Sequence, residues 1–198
     1  MIGGLLRRFS PAPRPDLVWE PVYLRAPDHS DYRAWHAAMS EGRGYLQPWQ
    51  PRWPSDHLTE AAFTRRLILY EAQRERGSGF AWHVRTVQDD RFVGTCRLAP
   101  VYYGSARSGT LGYWIAQEEA GQGFATAAVR AACAYAFGRL ALERIEASCL
   151  PENDASIRVL EKAGFRREGL ARAYLEIDGR RRDHALYARL RSDPVSAA

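Results

Sequence analysis

The 198-residue chain is poor in cysteine and lysine and has no long hydrophobic run, and each shortage excludes a class of protein. Its cysteines, Cys96, Cys133 and Cys149, are far apart and form no Cys-x-x-Cys pair, which argues against a disulfide framework and a zinc cage. No apolar stretch approaches the ~20 residues that cross a bilayer, and the opening Met1–Leu6 reaches Arg7 too soon for a secretory signal. We therefore expect a cytoplasmic protein that binds neither a metal nor a membrane.

The charge of the chain is positive, with 28 Lys and Arg against 23 Asp and Glu and a formal net charge of +5. Lys162 is the only lysine, so arginine carries almost all of the positive charge. A basic balance suits an acidic partner, which leaves a nucleic acid, a ribonucleoprotein and a phosphorylated cofactor as alternatives. The 46% hydrophobic and 26% charged residues are typical of one globular domain that can bury a core.

Proline and hydrophobic periodicity divide the chain into three parts. Residues 1–20 contain several prolines without periodicity, which predicts an irregular arm. A single domain is expected over residues 21–192, followed by a short tail over 193–198. Period-two alternation predicts strands at 22–25, 80–87, 92–98, 110–116, 144–150, 165–177 and 183–190. Helical stripes predict helices at 28–39, 55–76, 124–137 and 154–162.

The order of these elements predicts the fold class. From residue 110 to 162 they run strand, helix, strand, helix, an order that requires a parallel pair with a right-handed crossover. Asp178-Gly179, between the last two predicted strands, is a strong signal for a hairpin turn. We therefore expect an α/β fold of mixed α+β character, with one twisted mixed sheet of about seven strands flanked by about four helices.

A glycine-rich segment, Ala120–Thr126, lies where a predicted strand is followed by the Ala-rich helix. Its two glycines let the main chain approach a ligand and adopt positive φ, and the unpaired N–H groups of the new helix attract an anion. A diphosphate would fit there, although a tight turn without a ligand is the alternative. The candidate cofactor contacts in this segment are Gly121, Gln122, Gly123, Phe124, Ala125 and Thr126.

A second polar segment, Pro151–Ser156, follows the strand predicted at 144–150. Asn153 or Asp154 can cap the helix that begins there, and the pattern leaves the choice between them open. The segment lies at the carboxyl end of a strand in a predicted parallel pair, where open sheets of this kind bind ligands. We therefore expect it to face the same cleft as the glycine-rich segment, with Asn153 and Ser156 as cofactor contacts.

Taken together, these segments resemble the cofactor-binding motifs of the GNAT superfamily of acetyltransferases. Gly123 and Ala125 match the family's loop, whereas Ala120 stands where the family has Gln or Arg. The second motif is matched by Asn153, Ser156, Lys162, Gly164 and Phe165, and the likeness extends over residues 22–190. The resemblance implies a single GNAT domain that binds acetyl-CoA, releases CoA and needs no metal. Because Ala120 removes a side chain, an acyl-CoA-binding module without turnover remains an alternative.

Within this superfamily the chain is most similar to ribosomal-protein N-terminal alanine acetyltransferases of the RimJ/RimL type. The segments that carry this likeness are Leu46–Pro51, Leu111–Ile115, Tyr174–Gly179 and Arg182–His184. The likeness implies that the acceptor is a protein N-terminus, that a ribosomal protein or the ribosome is the partner, and that no nucleic acid is bound sequence-specifically. A related enzyme that acetylates a small-molecule amine, such as an antibiotic, a polyamine or an amino acid, is the alternative.

The resemblance also implies direct attack of a neutral amine on the thioester, through a tetrahedral oxyanion and without an acetyl-enzyme. A main-chain N–H near Tyr113, Trp114 or Ile115 is then the oxyanion donor, and Ser156 protonates the leaving sulfur or donates a hydrogen bond to it. Capping of the helix by its hydroxyl is the alternative, and it does not exclude this role. Tyr174 and Glu176 share a strand face by period two and are candidate bases, and Glu41 near the aromatic loop is another. For each of them a solvated surface group is the alternative.

Acceptor contacts are expected in the proline-fixed aromatic loop that follows the first predicted helix. Such a loop can present aromatic walls to an extended peptide, although hydrophobic packing explains the same residues. An α-amine, with a pKa of ~8, is about a tenth neutral at pH 7. The side-chain amine of lysine has a pKa some two units higher, so its neutral fraction at pH 7 is far smaller. The absence of an evident strong base therefore favours α-amines. The candidate acceptor contacts are Glu41, Tyr45, Trp49, Arg52 and Trp53.

Overall fold

Eight strands form one sheet in the computed structural model, which describes residues 16–194. Their order across the sheet is β1-β2-β3-β4-β5-β6-β8-β7, and β5–β6 is the one parallel pair among these strands. The parallel pair is the one predicted from the strand–helix–strand order. The strands are β1 (Leu17–Trp19), β2 (Val22–Arg25), β3 (Phe80–Thr86), β4 (Phe92–Tyr102), β5 (Ser108–Ile115), β6 (Arg144–Cys149), β7 (Arg166–Ile177) and β8 (Arg180–Leu190).

Five α-helices flank this sheet, so the mixed α/β architecture agrees with the prediction. They are α1 (Tyr32–Glu41), α2 (Arg43–Leu46), α3 (Glu60–Glu75), α4 (Phe124–Gly138) and α5 (Asp154–Lys162). The sequence pattern missed β1 and α2, because elements of three and four residues contain barely one period of either repeat. Consequently residues 17–19 are not irregular as predicted, and the rest of the predicted arm and tail, 1–15 and 195–198, lies outside the described residues.

Helices α4 and α5 pack against one face of the sheet, which we call the back face. The helix α4 turns small side chains toward the strands, among them the fully buried Ala128 and Ala132. Small residues at a packing face let the helix axis approach the sheet closely, so large strand residues such as Trp82 and Leu98 complete the core. This close packing fixes the amino-terminal end of α4 beside the ends of β5 and β6.

The first three helices cover part of the opposite, front face. Trp35, Met39, Leu46, Trp53 and Phe63 form a second buried cluster, against which Phe92 and Trp114 of the sheet pack. A buried ionic group anchors the start of α1 to β2 and β3. There the Asp31 carboxylate accepts hydrogen bonds from Arg25 and from Nδ1 of His83, the latter at 2.9 Å. These hydrogen bonds hold the pKa of Asp31 well below its usual range, against the opposing effect of burial.

The last two strands form a hairpin with the turn that the sequence indicated. Asp178 and Gly179 have φ angles of +45° and +78°, the left-handed pair that a two-residue turn of this kind requires. The main-chain N–H of Asp178 donates to the carbonyl of Gln50 at 3.0 Å. The tip of the hairpin is thus joined to the aromatic loop between α2 and α3, on the front side of the sheet.

Candidate active site

A split opens in the sheet between the parallel strands β5 and β6. Their pairing covers only Ser108–Thr110 against Arg144–Glu146, although β5 continues to Ile115 and β6 to Cys149. Beyond this point β5 stays with β4, and β6 stays with β8. The main chain of β5 over 111–115 therefore has no strand partner on the side of the split, and its polar groups there are available to an extended ligand.

The glycine-rich turn lies at the carboxyl end of β5. Gly121 and Gly123 have φ angles of +80° and +84°, and a Cβ at either position would meet no heavy atom within 4 Å. Gly123 is the N-cap of α4, and no side chain accepts from the first-turn amides of Phe124, Ala125 and Thr126. Open space above the glycines, free amides and the positive end of the helix dipole together fit a diphosphate.

The main-chain amides at the start of α4 are free, whereas the side chain of Gln122 is already hydrogen-bonded. Its Nε2 donates to Oε2 of Glu119 at 3.0 Å, and the buried Glu119 carboxylate also pairs with Arg91 from the start of β4. The Gln122 side chain is therefore bonded within the loop, and it would have to leave this contact to take the place of the Gln or Arg that Ala120 replaces. The sequence pattern gave no reason to single out Glu119.

At the amino-terminal end of α5 the structure separates two roles that the sequence left open. Asn153 is the N-cap, with its Oδ1 accepting from the Ser156 N–H at 3.0 Å, so neither Asp154 nor the Ser156 hydroxyl caps this helix. The Ser156 hydroxyl instead meets the phenol of Tyr113 on β5, at 2.9 Å between Oγ and Oη. Burial raises the pKa of Tyr113, so its hydroxyl keeps its proton at neutral pH.

A polar cavity of about 410 Å³, counting its open mouth, adjoins the place where β5 and β6 part. Its lining includes one predicted residue, Tyr174, and two carboxylates that the sequence analysis missed, Glu146 and Glu168. Arg144 joins them, with Nε donating to Glu146 at 2.8 Å and Nη1 to Glu168 at 2.9 Å. The lining residues are Thr110, Arg144, Glu146, Ala147, Ser148, Glu168, Tyr174, Leu186 and Tyr187.

The strand β7 contains an irregularity that corrects one expectation. Its register with β8 shifts between Ala171 and Leu175, which places Tyr174 in a bulge, with its ring 5.7 Å from that of His184. Glu176 pairs with Arg181, three residues from His184, so strand alternation puts Glu176 on the opposite face. Tyr174 and Glu176 therefore do not share a face as predicted, because the bulge interrupts the period-two pattern.

The candidate acceptor residues divide into packed and exposed ones. Trp53 is 8% exposed, stacks on the imidazole of His57 at 4.7 Å, and donates from Nε1 to Gln50, so it belongs to the front cluster. Trp49 is 37% exposed, Arg52 lies against the hairpin tip at Gly179, and Tyr45 is half-buried. Glu41 is an exposed residue at the end of α1.

Among residues 16–194, no group of three or more His, Cys, Asp or Glu side chains is placed to hold a metal ion. Within the same range, none of the helices combines the length and the apolar character needed to cross a bilayer.

Residues 22–166 match the family model of the acetyltransferase (GNAT) domain. The chain is 34% identical over 172 residues to a probable N-acetyltransferase, YjcK, of Bacillus subtilis, which covers 87% of this chain and 95% of that protein. It is 33% identical over 160 residues to the [ribosomal protein uS5]-alanine N-acetyltransferase of Escherichia coli, covering 80% and 82% respectively. The solved structure of Mycobacterium smegmatis RimJ in complex with CoA-disulfide is similar with a TM-score of 0.82 and 33% identity, covering 88% of this chain and 85% of that one.

These relatives confirm the fold class and the acetyl-CoA cofactor that the motifs implied. The split and the glycine turn supply the open space and the free main-chain donors that such a cofactor needs. The family match and the named acetyltransferases support an enzyme rather than a binding module without turnover. The chain therefore belongs to the GNAT family and is an acetyl-CoA-dependent N-acetyltransferase.

Proposed function

We propose that this enzyme acetylates the N-terminal α-amine of a cytoplasmic protein, with the N-terminal alanine of a ribosomal protein as the specific acceptor. The observation that carries the proposal is the cavity beside the split. Tyr174 lines this cavity, and it belongs to the β7–β8 hairpin, whose tip contacts the aromatic loop. An extended peptide could bind along this loop and hairpin and place its N-terminal α-amine in the cavity. The Escherichia coli relative that acts on uS5 alanine supports this choice of acceptor.

Acetyl-CoA, when bound, supplies the acetyl thioester. The first-turn amides of α4 would hold its diphosphate, and the unpartnered main chain of Tyr113–Ile115 would hold the arm that carries the thioester. A main-chain N–H of the same segment is our proposed oxyanion donor, and Asn153 and Ser156 border the split from α5. Ser156 is our proposed hydrogen-bond donor to the departing sulfur, because its hydroxyl is not used for capping.

We propose Glu146 as the group that takes the proton from the acceptor amine. It is the last residue of β6 that pairs with β5, opposite Thr110, and its carboxylate lines the cavity. Nε of Arg144 donates to it at 2.8 Å, which fixes the position of the carboxylate. A carboxylate is a weak base, which suffices for an α-amine that is already about a tenth neutral at pH 7. Tyr174 is the second candidate on the same wall, whereas Glu41 and Glu176 do not line the cavity.

The test is acetylation of short peptides that begin with alanine, followed by mass spectrometry of the modified position. We expect the α-amine to be acetylated, and a peptide of the same sequence with a blocked N-terminus and an internal lysine to remain unmodified. Glu146→Gln should lower kcat by about a hundredfold with little change in acetyl-CoA affinity. Glu71→Gln, a change to an exposed carboxylate on α3 and outside the cavity, is the matched control.

The cavity also favours one alternative acceptor. Glu146 and Glu168 share a single arginine, so their combined charge with Arg144 is negative and suits a small cationic amine such as a polyamine or an aminoglycoside. Efficient acetylation of such amines, with alanine peptides and intact ribosomal proteins left untouched, would contradict the peptide proposal. An acetylome comparison with and without the gene would then identify the natural acceptor.

A further inference from the structure

We infer that the phenol of Tyr113 is a positioning residue, which aligns the Ser156 hydroxyl with the leaving sulfur and strengthens it as a hydrogen-bond donor. The inference rests on the role proposed above for Ser156. It concerns the side chain of Tyr113, whereas only the main chain near this residue has so far been connected with the reaction.

The two hydroxyls approach each other across the split. Tyr113 lies on the part of β5 that has lost its partner β6, and Ser156 lies in the first turn of α5, which follows β6. Their oxygens are 2.9 Å apart, and the Tyr113 oxygen is also 3.2 Å from the Ser156 carbonyl. Both side chains are half-buried, so they are held by packing and still accessible from the split.

Counting protons shows how the pair can work. Each hydroxyl has one proton, and Ser156 N–H is already donated to Asn153. If Tyr113 donates to Oγ of Ser156, the serine proton is free to point into the split. If Ser156 donates to Tyr113, the phenol donates to the Ser156 carbonyl and the pair is closed on itself. A negative sulfur in the split selects the first arrangement, because it accepts the serine proton.

The phenol suits this task because it remains neutral. Burial raises its pKa, so it stays a donor over the whole physiological range. A serine hydroxyl alone is a poor donor, and a second hydroxyl that donates to its oxygen polarises the chain and strengthens its outer hydrogen bond. A phenol on a strand also has little freedom, since its ring packs against the back-face core.

The first experiment is a double-mutant cycle with Tyr113→Phe, which removes the hydroxyl and retains the ring. We expect kcat to fall about tenfold, with the KM for acetyl-CoA changed less than about twofold. Because the phenol acts through serine, Tyr113→Phe should cause no further loss in a Ser156→Ala background, whereas a Ser156→Thr enzyme should remain sensitive to it. Tyr135→Phe is the control, since it removes a hydroxyl about three turns after the start of α4, and it should leave kcat unchanged.

The second experiment does not depend on turnover. Calorimetry should show that CoA gains affinity over desulfo-CoA by about tenfold between pH 7 and pH 9, because the site binds the thiolate more tightly than the thiol. In Tyr113→Phe and in Ser156→Ala we expect this gain to shrink to less than about twofold. A purely structural role of Tyr113 predicts instead a lower melting temperature and an equal loss of affinity for both ligands.

The outcomes separate the two proposals. Normal kcat in Ser156→Ala would overturn the role of Ser156 itself. A loss in Ser156→Ala together with unchanged kcat and an unchanged pH-dependent gain in Tyr113→Phe would overturn only the role of Tyr113. Losses that simply add in the double variant would also overturn it, because they would show that the phenol acts independently of serine.

Discussion

At the residue scale, α5 begins with two neighbouring polar side chains that have different tasks. Asn153 caps the helix, so Asn153→Ala should lower the free energy of unfolding by about 1 kcal/mol. Ser156→Ala should leave the unfolding free energy nearly unchanged and lower kcat by about a hundredfold, with a smaller change in the KM for acetyl-CoA. Denaturant unfolding and steady-state kinetics on both variants measure the difference. Lost stability with preserved turnover in Ser156→Ala would show that its hydroxyl is structural.

His57 makes the stability of the front cluster dependent on pH. Burial, together with the charge of Arg66, lowers the pKa of His57 to about 4, and Nη2 of Arg66 donates to its Nδ1 at 2.9 Å. In the unfolded chain His57 binds its proton near pH 6.5, whereas in the folded chain it does so only near pH 4. The contribution of His57 to the free energy of unfolding is therefore fully present above pH 6.5 and is lost as the pH falls from 6.5 to 4.

We therefore expect the melting temperature to fall as the pH is lowered from 6.5 to 4. In His57→Asn this decrease should be smaller, because one of the groups that bind a proton on unfolding has gone. The buried His83, whose pKa burial also lowers, contributes in the same direction and accounts for part of the remaining slope. An identical slope in wild type and His57→Asn would show that His57 is charged in the fold.

At the element scale, the glycine turn before α4 provides a prediction about cofactor binding. Gly123→Val should weaken acetyl-CoA binding by at least about tenfold, because the side chain would occupy the space above the first-turn amides. The φ of +84° also makes the substitution strained, so some stability is lost with it. Gly104 in the β4–β5 turn has a φ of +70° and equally open surroundings, so Gly104→Val is the matched control. Equal affinities in these two variants, measured by calorimetry, would place the diphosphate elsewhere.

The aromatic loop provides a second prediction at this scale. Trp49→Ala should raise the KM for an alanine-starting peptide about tenfold and leave acetyl-CoA affinity alone, since the indole is exposed and the next residue, Gln50, is bonded to the hairpin tip. Tyr102→Ala removes an exposed aromatic ring from β4 and is the control. Trp53→Ala should instead lower the melting temperature, because its ring is buried in the front cluster. A normal peptide KM in Trp49→Ala would remove this loop from the acceptor site.

For the whole molecule, the cofactor is expected to act as a clamp across the split. It would contact β5 on one side of the split and α5, which follows β6, on the other, as well as the start of α4. A ligand that binds only the folded state stabilises the whole fold. At a hundred times its Kd, acetyl-CoA should raise the free energy of unfolding by about 2.7 kcal/mol. Thermal unfolding with and without acetyl-CoA measures this, and a chelator should have no effect. In Gly123→Val the shift at the same concentration should be smaller.

The sequence alone determined the architecture of the second half and the position of the glycine turn. Helix α4, helix α5 and the Asp178-Gly179 hairpin each carry a local signal, namely alanine periodicity, a capping residue and a left-handed turn pair. Such signals depend on contacts within a few residues, so they can be interpreted without the fold. The family resemblance then connected the two segments around Gly123 and Asn153 with acetyl-CoA.

Only the tertiary structure decided which side chains in the cleft lie together and contact one another. Glu146 and Tyr174 meet in one cavity through strand order, and a bulge separates Tyr174 from Glu176, although alternation predicted a shared face. Tyr113 and Ser156 are 43 residues apart in the chain and meet only because β5 and β6 part beside α5. These contacts depend on the register and crossover of distant strands, and local periodicity contains no information about either.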